Sequence, residues 1–380
     1  ARVVTIVIGN WVEHCAEFQS RLLSDLPLIE ATFQHDADRP LGTVADLRVA
    51  LSDVHRHGRF VLGLTFSSGL KLAYKPKSLG IDLAFNDFIR WCNRQGVTLD
   101  LKATRILDRP GYGWMEWIDQ QPCADHEDAA RFYRRAGLLL GLLHVLRGTD
   151  CHNENLVAAG PHLVLVDAET LMSPDLHTPG DAIGPAAHEA FWQSVVRTGM
   201  LPCWEMCTGT SIPFDISGLG GVEPQAAPAE VAKWTDINTD GMGMSFGPLM
   251  LPRRTNAAIL DGVVLSVGDH VPELVAGFAE MYGLLMRRRD ALLATDGPLR
   301  GFLGQPVRYV FRPTEQYGRI QRHSLAPAHL GNGCDRSIEL DHLSRGFVAE
   351  GEAATAWSLV GAEREALEEL DIPRFEVRAD

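Results

Sequence analysis

The pattern of apolar and polar positions changes period several times along the chain. From 10 to 33, Trp11, Cys15, Phe18, Leu22, Leu23 and Leu26 recur at helical spacing, which predicts an amphipathic helix. Across 59–76, RFVLGLTFSSGLKLAYKP, two apolar runs flank Ser67-Ser68-Gly69, the pattern of two strands around a turn. Residues 81–94 return to the helical period, with Leu83, Phe85, Phe88, Ile89 and Cys92 on one side. Short strands are predicted at 99–107 and 112–118. Together these give a small sheet with one packed helix.

A long helix is predicted over 126–147, turning Ala130, Phe132, Leu138, Leu139, Leu142 and Leu143 inward. The polar loop GTDCHNEN follows, then a strand at 162–166, HLVLV, ending at Asp167. Residues 208–256 are rich in Gly and Pro and read as a long ordered loop. A helix at 270–294, a strand at 307–311 leading into Arg312-Pro313-Thr314, and helices at 337–344 and 350–370 complete the reading. The expected class is α+β. Residues 1–118 form an N-terminal helix and small lobe, and 119–380 a larger, mainly helical lobe.

Composition narrows the class. The 380 residues are 46% hydrophobic and 22% charged, the balance of a globular chain able to bury a sizeable core. A net charge of −14 argues against non-specific binding to nucleic acid or anionic membrane. The seven cysteines are irregularly spaced, a poor disulfide framework, so a reducing, cytoplasmic setting is expected. Cys203 and Cys207 are read as helical neighbours rather than half a metal site. There is no signal peptide and no apolar run long enough to span a bilayer.

The candidate chemistry is phosphoryl transfer from ATP. That reaction needs an Asp to orient or deprotonate the attacking hydroxyl and an Asn to reach Mg²⁺. It also needs a second Asp to hold metal at the phosphates and a Lys to touch them. The chain supplies these parts in order: Lys75 in AYKPKS, Asp150 and Asn155 in DCHNEN, and Asp167 in LVDAET. The Asp-x-His-x-x-Asn form, with His152 inside it, resembles the loop of aminoglycoside and choline phosphotransferases. Each part alone reads as a cap, an Asx-turn or a solvated lysine; the ordered set is what carries weight. Glu169 follows Asp167 at strand spacing, either as a second metal ligand or as a salt-bridge partner.

The runs DVHRHGRFVLGLTFSSGLKLAYKPKSLGID, TDCHNENLV and LVDAETL resemble the dehydratase domain of class II lanthipeptide synthetases, the LanM type. WTDINTDGM, RYVFRPTEQY and LDIPRF extend the resemblance over nearly the whole chain. It implies a bilobal kinase-like fold, similar to lipid and protein kinases, with helical and loop additions. It implies ATP- and Mg²⁺-dependent phosphorylation of Ser and Thr in a precursor peptide with a leader and a Ser/Thr/Cys-rich core. Phosphate elimination to dehydroalanine or dehydrobutyrine follows.

By the same resemblance, His55 and Lys75 are the small-lobe His and the phosphate-contacting Lys. Asp150, His152 and Asn155 form the catalytic loop, and Asp167 and Glu169 the metal segment. Arg308 and Thr314 are the pair tied to elimination; by composition alone they would be a surface Arg and a helix N-cap. Family members continue into a zinc-dependent cyclase domain, and nothing in this chain supplies its Cys-Cys-His site. A start at Ala1 and a stop after LDIPRFEVRAD are read as a fragment. Two other readings stay open: a small-molecule kinase without elimination, and a peptide-binding pseudokinase scaffold.

Overall fold

The computed structural model describes residues 1–34, 40–174, 185–206, 213–345 and 357–379. The first element, α1 (Arg2–Phe33), is longer than the periodicity predicts. At 1.5 Å per residue its 32 residues reach about 48 Å. His14, Phe18, Asp25, Ile29 and Phe33 form its buried stripe. Trp11 and Leu23, expected inside, are 62% and 70% exposed, because the stripe that meets the sheet lies on another side of the helix.

Five antiparallel strands follow: β1 (Val44–Arg48), β2 (Leu62–Phe66), β3 (Lys71–Lys75), β4 (Ile106–Arg109) and β5 (Tyr112–Glu116). Their order is β1-β2-β3-β5-β4, so β3 is central. The two later strands are shorter than the predicted 99–107 and 112–118. Strand alternation sorts β3 by face: Leu72 and Tyr74 join the cluster with Phe18 and Ile29 of α1, while Ala73 and Lys75 point the other way. Buried Asp25 fastens helix to sheet, accepting from the Tyr112 hydroxyl (2.8 Å) and the Trp114 indole (2.9 Å) and pairing with Arg109 at 3.1 Å. Between β3 and β4 runs α2 (Gly80–Arg94), whose Phe85, Phe88, Ile89 and Cys92 enter the main core.

That core is centred on α3 (His126–Val145), begun by the Asp125 side chain accepting from the Asp128 amide. The hairpin β6 (Leu156–Ala159) and β7 (His162–Leu165) packs beside it, turning at Gly160, whose φ of +60° suits glycine. Further on lie α4 (Pro185–Gln193) and the short pair β8 (Glu205–Met206) and β9 (Pro213–Phe214). Cys203 lies outside any helix, since Pro202 and the strand that follows leave no helical turn there; Cys207 falls outside the described residues.

The segment expected as an ordered loop instead contains a long hairpin, β10 (Gln225–Thr235) and β11 (Gly243–Leu251). Along β11 the burial hardly alternates, and Trp234, Met244 and Phe246 are exposed, which is why periodicity misses it. The short pair β12 (Ile259–Leu260) and β13 (Val263–Val264) precedes α5 (Val271–Arg287) and α6 (Arg289–Leu293). The predicted helix 270–294 is thus broken at Arg288.

Helices α3 and α5 touch backbone to backbone. A Cβ on Gly137 would strike the Leu274 carbonyl oxygen, and one on Gly277 the Arg134 carbonyl oxygen. The chain ends with β14 (Pro306–Tyr309), α7 (Thr314–Ser324), α8 (Gly333–Leu340), α9 (Trp357–Glu368) and β15 (Phe375–Arg378). The predicted helix 350–370 shows from Trp357; 350–356 fall outside the described residues. Strand β15 pairs with β14 rather than joining the large sheet. No helix among the described residues is long and apolar enough to cross a membrane.

Candidate active site

Four pieces of chain converge below β3. The loop after α3 is shaped from outside. The Cys151 amide donates to the Thr198 carbonyl (2.9 Å) and the Asn153 amide to the Ile216 carbonyl (2.9 Å). The buried Arg197 guanidinium donates to the carbonyls of His144 (2.8 Å) and Gly148, closing the end of α3 and starting the loop. Asp150 itself has φ +58°, a left-handed backbone that a non-glycine residue holds only when its surroundings enforce it.

Inside the loop the hydrogen bonds fix orientation. The Glu154 amide donates to His152 Nδ1 (3.2 Å), which assigns the imidazole proton to Nε2. That Nε2 faces Asp150 Oδ1 at 3.5 Å. The Asn155 side-chain amide donates to the Asp150 carbonyl (2.8 Å), so its oxygen is the end left for a cation. The hairpin β6–β7 returns the chain so that the Val166 amide donates to the Asn155 carbonyl (2.9 Å). This sets Asp167, two residues past the end of β7, beside the loop.

The cations come from three directions. Lys75 is buried, donates to the Val166 carbonyl, and lies 3.8 Å from Asp167 and 3.9 Å from Asp82 on α2. Lys77 donates to both Asp167 oxygens (2.7 and 2.8 Å) and to Glu169. Arg308 donates to Glu169 through its guanidinium (2.7 Å) and through its backbone amide to the Glu169 carbonyl (2.7 Å). Arg374, from the segment leading into β15, reaches the other Glu169 oxygen at 2.7 Å. His55 completes the rim, with Nδ1 2.7 Å from the Ile372 carbonyl.

The electrostatics follow from this packing. Burial pushes the Asp150 carboxyl up, against the pull of His152 and Arg308. Burial and the Glu169 charge oppose ionisation of Asp167, yet Lys75 and Lys77 hold it below the ordinary carboxylate value. Glu169 is also buried, and Lys77, Arg374 and Arg308 hold it well below its ordinary value. Burial, then the Arg308 charge, bring His55 down to about 4. Its ring is therefore neutral at pH 7.

Of the residues predicted from sequence, His55, Lys75, Asp150, His152, Asn155, Asp167, Glu169 and Arg308 meet in this one place. Arg308 is an ion-paired, largely buried residue rather than a surface one. Thr314 stands apart. It opens α7 just after Pro313, which occupies the cap position, and among the described residues no hydrogen bond or ion pair joins it to the carboxylate cluster.

Lys77, Asp82 and Arg374 were missed. Lys77 had a signal, since it lies two residues beyond Lys75 in a KPK run. Asp82 sits in the first turn of a predicted helix, where an acid reads as a cap. Arg374 lies in LDIPRF, a motif quoted whole with no role given to its arginine.

The donors suit the expected cofactor in part. Asp167 and the Asn155 oxygen are the hard oxygen donors that Mg²⁺ prefers. Both Glu169 oxygens are engaged by cationic side chains, so metal ligation there requires one of them to move.

Comparison with known proteins agrees with the resemblance. The lacticin 481/lactococcin biosynthesis protein LcnDR2 of Lactococcus lactis subsp. lactis is 24% identical over 376 residues, covering 89% of the chain. The match takes in only 36% of that relative, so the chain spans about a third of its length. The model of the family described as domain of unknown function DUF4135 matches residues 1–378. With the match running through every segment that builds the site, the chain belongs to the DUF4135 family.

Proposed function

We propose that the chain is the dehydratase part of a lanthipeptide-modifying enzyme, with a kinase-like fold, acting on Ser and Thr of a precursor peptide. The observation that carries this reading is the meeting of two devices in one cluster of side chains. A loop suited to phosphoryl transfer (Asp150, His152, Asn155, Asp167) faces a cluster suited to holding phosphate (Lys77, Arg308, Arg374, with His55). A simple kinase needs the first; the second supports a further step on the phosphorylated product. The resemblance to a lacticin 481 biosynthesis protein points to the same substrate class.

In the first half-reaction Asp150 accepts the proton of the substrate hydroxyl, and its raised carboxyl suits it to that. His152 Nε2–H orients it. Asn155 and Asp167 would hold Mg²⁺, which with ATP supplies the phosphoryl group and neutralises its charge. Lys75, held between Asp82 and Asp167, would contact the nucleotide phosphates.

In the second, the Cα–H bond of the phosphorylated residue gives up its proton to a base. The electron pair forms the Cα=Cβ bond, and the Cβ–O bond breaks to release phosphate. Arg308 and Arg374, gathered by Glu169, stabilise the departing anion. Neutral His55 stands beside Arg308 with Nε2 as its basic nitrogen.

The test uses the full-length protein with a precursor peptide, ATP and Mg²⁺, read by mass spectrometry. The wild type is expected to remove water. Asp150→Asn is expected to leave the peptide unmodified, losing at least the roughly 10²–10⁴-fold that general-base catalysis supplies. Arg308→Ala is expected to accumulate phosphopeptide. If Arg308→Ala stops phosphorylation and water loss together, the two-device reading fails. If the wild type leaves phosphate on the peptide without losing water, a simple peptide-kinase reading replaces it; if the peptide stays unmodified, the small-molecule kinase reading does.

A further inference from the structure

Away from this site, a second constellation of chemistry-bearing side chains lies between α7 and α8. Three of the chain's 14 histidines converge there on one glutamate. His323 is in the last turn of α7, His329 ends the 3-10 turn Pro327–His329, and Glu339 is in the last turn of α8. His342 follows in the 3-10 turn Asp341–Ser344, on the same face as Glu339.

All three rings turn Nδ1 toward the carboxylate. The separations are 2.9 Å for His323, 3.4 Å for His329 and 3.9 Å for His342. Ligand atoms of His323, His329 and Glu339 lie within 4.8 Å of one another. The His323 ring is 5.1 Å from that of His329 and 6.4 Å from that of His342, centre to centre.

Glu339 is only 15% exposed, and among the described residues its ion pairs are all with imidazoles. A half-enclosed carboxylate surrounded this way is matched either by a proton on one ring or by a cation that all the groups share. The geometry favours the shared cation. Zinc bonds of about 2.0–2.1 Å in a tetrahedron place ligand atoms about 3.3 Å apart. The three carboxylate-to-imidazole separations straddle that edge, and since the ligand atoms of His323, His329 and Glu339 all lie within 4.8 Å of one another, closing those three on a metal asks them to draw together by about 1.5 Å at most.

We propose that His323, His329 and Glu339, with His342 as the fourth ligand, form a structural site for one divalent transition-metal ion of the zinc class. Three imidazole nitrogens and one carboxylate select zinc or its first-row neighbours over Mg²⁺ and Ca²⁺, which take oxygen. The site shares no residue with the Asp167 cluster and does not depend on the dehydratase reading. Its ion clamps the end of α7 to α8 and to the turn between them. Tyr317 of α7 and Leu340 of α8 already share a small core here with Leu343, Leu367 and Ile372. The metal is the device that makes this thin layer rigid.

The experiment strips the protein with a chelator, reloads it with Zn²⁺, desalts it, and measures bound zinc by plasma emission. The wild type is expected to hold about one ion per chain more than the His323→Ala/His329→Ala variant. His329→Ala and Glu339→Gln should each weaken binding by more than the roughly 10–100-fold that losing an outer-shell partner costs. Loading with Co²⁺ should give the intense visible absorption of a four-coordinate ion, and Zn²⁺ should raise the melting temperature of the wild type but not of a His323→Ala/His329→Ala variant. If that variant does not fold, His323→Ala alone serves, because its side chain is 60% exposed and packs little. Wild-type protein that retains no zinc, or a variant that retains as much as the wild type, overturns the proposal.

Discussion

Glu169 gathers Lys77, Arg308 and Arg374 around one buried carboxylate, and its charge is what makes three cations tolerable at such close range. Removing it should strip Arg308 of its ion pair and take one carboxylate from Lys77 and Arg374, which keep Asp167 and Glu376. Glu169→Ala is therefore expected to destabilise the fold by about 3–5 kcal/mol, read as a drop in the urea midpoint. A loss below about 1 kcal/mol would mean that solvent screens the cluster. His55 gives a pH signature. Burial and then the Arg308 charge hold its ring at about 4, against an ordinary 6.5. The unfolded chain thus binds a proton that the folded chain refuses between those values. Stability is complete above about 6.5 and falls as pH drops toward 4, by about 1–2 kcal/mol at pH 5. Urea midpoints at pH 7 and pH 5 for the wild type and His55→Asn check this; equal pH dependence in both would refute it. At this scale much was legible, because Asp150, His152, Asn155 and Asp167 are close in sequence and spaced by chemistry. Arg374 was not legible, since its meaning depends on a carboxylate 205 positions away.

Among the elements, the sheet and its helices follow from local pattern. Successive side chains of Lys71–Lys75 turn to opposite faces, so the side of the sheet that Lys75 faces is set once Leu72 and Tyr74 take the α1 side. The union of α1 with the sheet rests on Asp25, which a helical pattern reads as a polar, outward residue. Asp25→Ala should cost about 1–3 kcal/mol, chiefly by leaving the buried Trp114 indole without its acceptor and taking one of Tyr112's partners. Tyr112→Phe removes one hydrogen bond and should cost only about 0.5–1.5 kcal/mol. Chemical denaturation of the two variants separates these, and similar losses in both would show that the carboxylate is not the fastener. The β10–β11 hairpin was missed because burial along β11 hardly alternates, which leaves no clean strand pattern.

Over the whole molecule, distant parts of the chain meet at the site. Asp371 accepts from the backbone amides of His57 and Gly58, the latter at 2.8 Å, and the Ile372 amide donates to the Val54 carbonyl at 2.9 Å. Residues 314 positions apart thereby hold the His55 loop in place. Asp371→Ala is expected to loosen that loop, costing about 2 kcal/mol through two stranded amides. Faster amide exchange over 54–59, with α3 unchanged, is the measurement; unchanged exchange there would show that other contacts suffice. The close approach of α3 and α5 is equally global. Gly277→Val should fail to fold or lose several kcal/mol, because its Cβ meets backbone that cannot yield.

The sequence alone determined the local chemistry: helical and strand periods, the Asp-x-His-x-x-Asn loop, the Asp and Glu after the strand that follows it, and the family they resemble. These are properties of neighbours, and short-range spacing encodes them. Tertiary structure alone decided which cations answer which carboxylates. It gave Lys77 to Asp167, joined Arg308 and Arg374 at Glu169, and set three histidines on Glu339. Charges are paired by distance in space, and only the packed chain brings those positions within reach of one another.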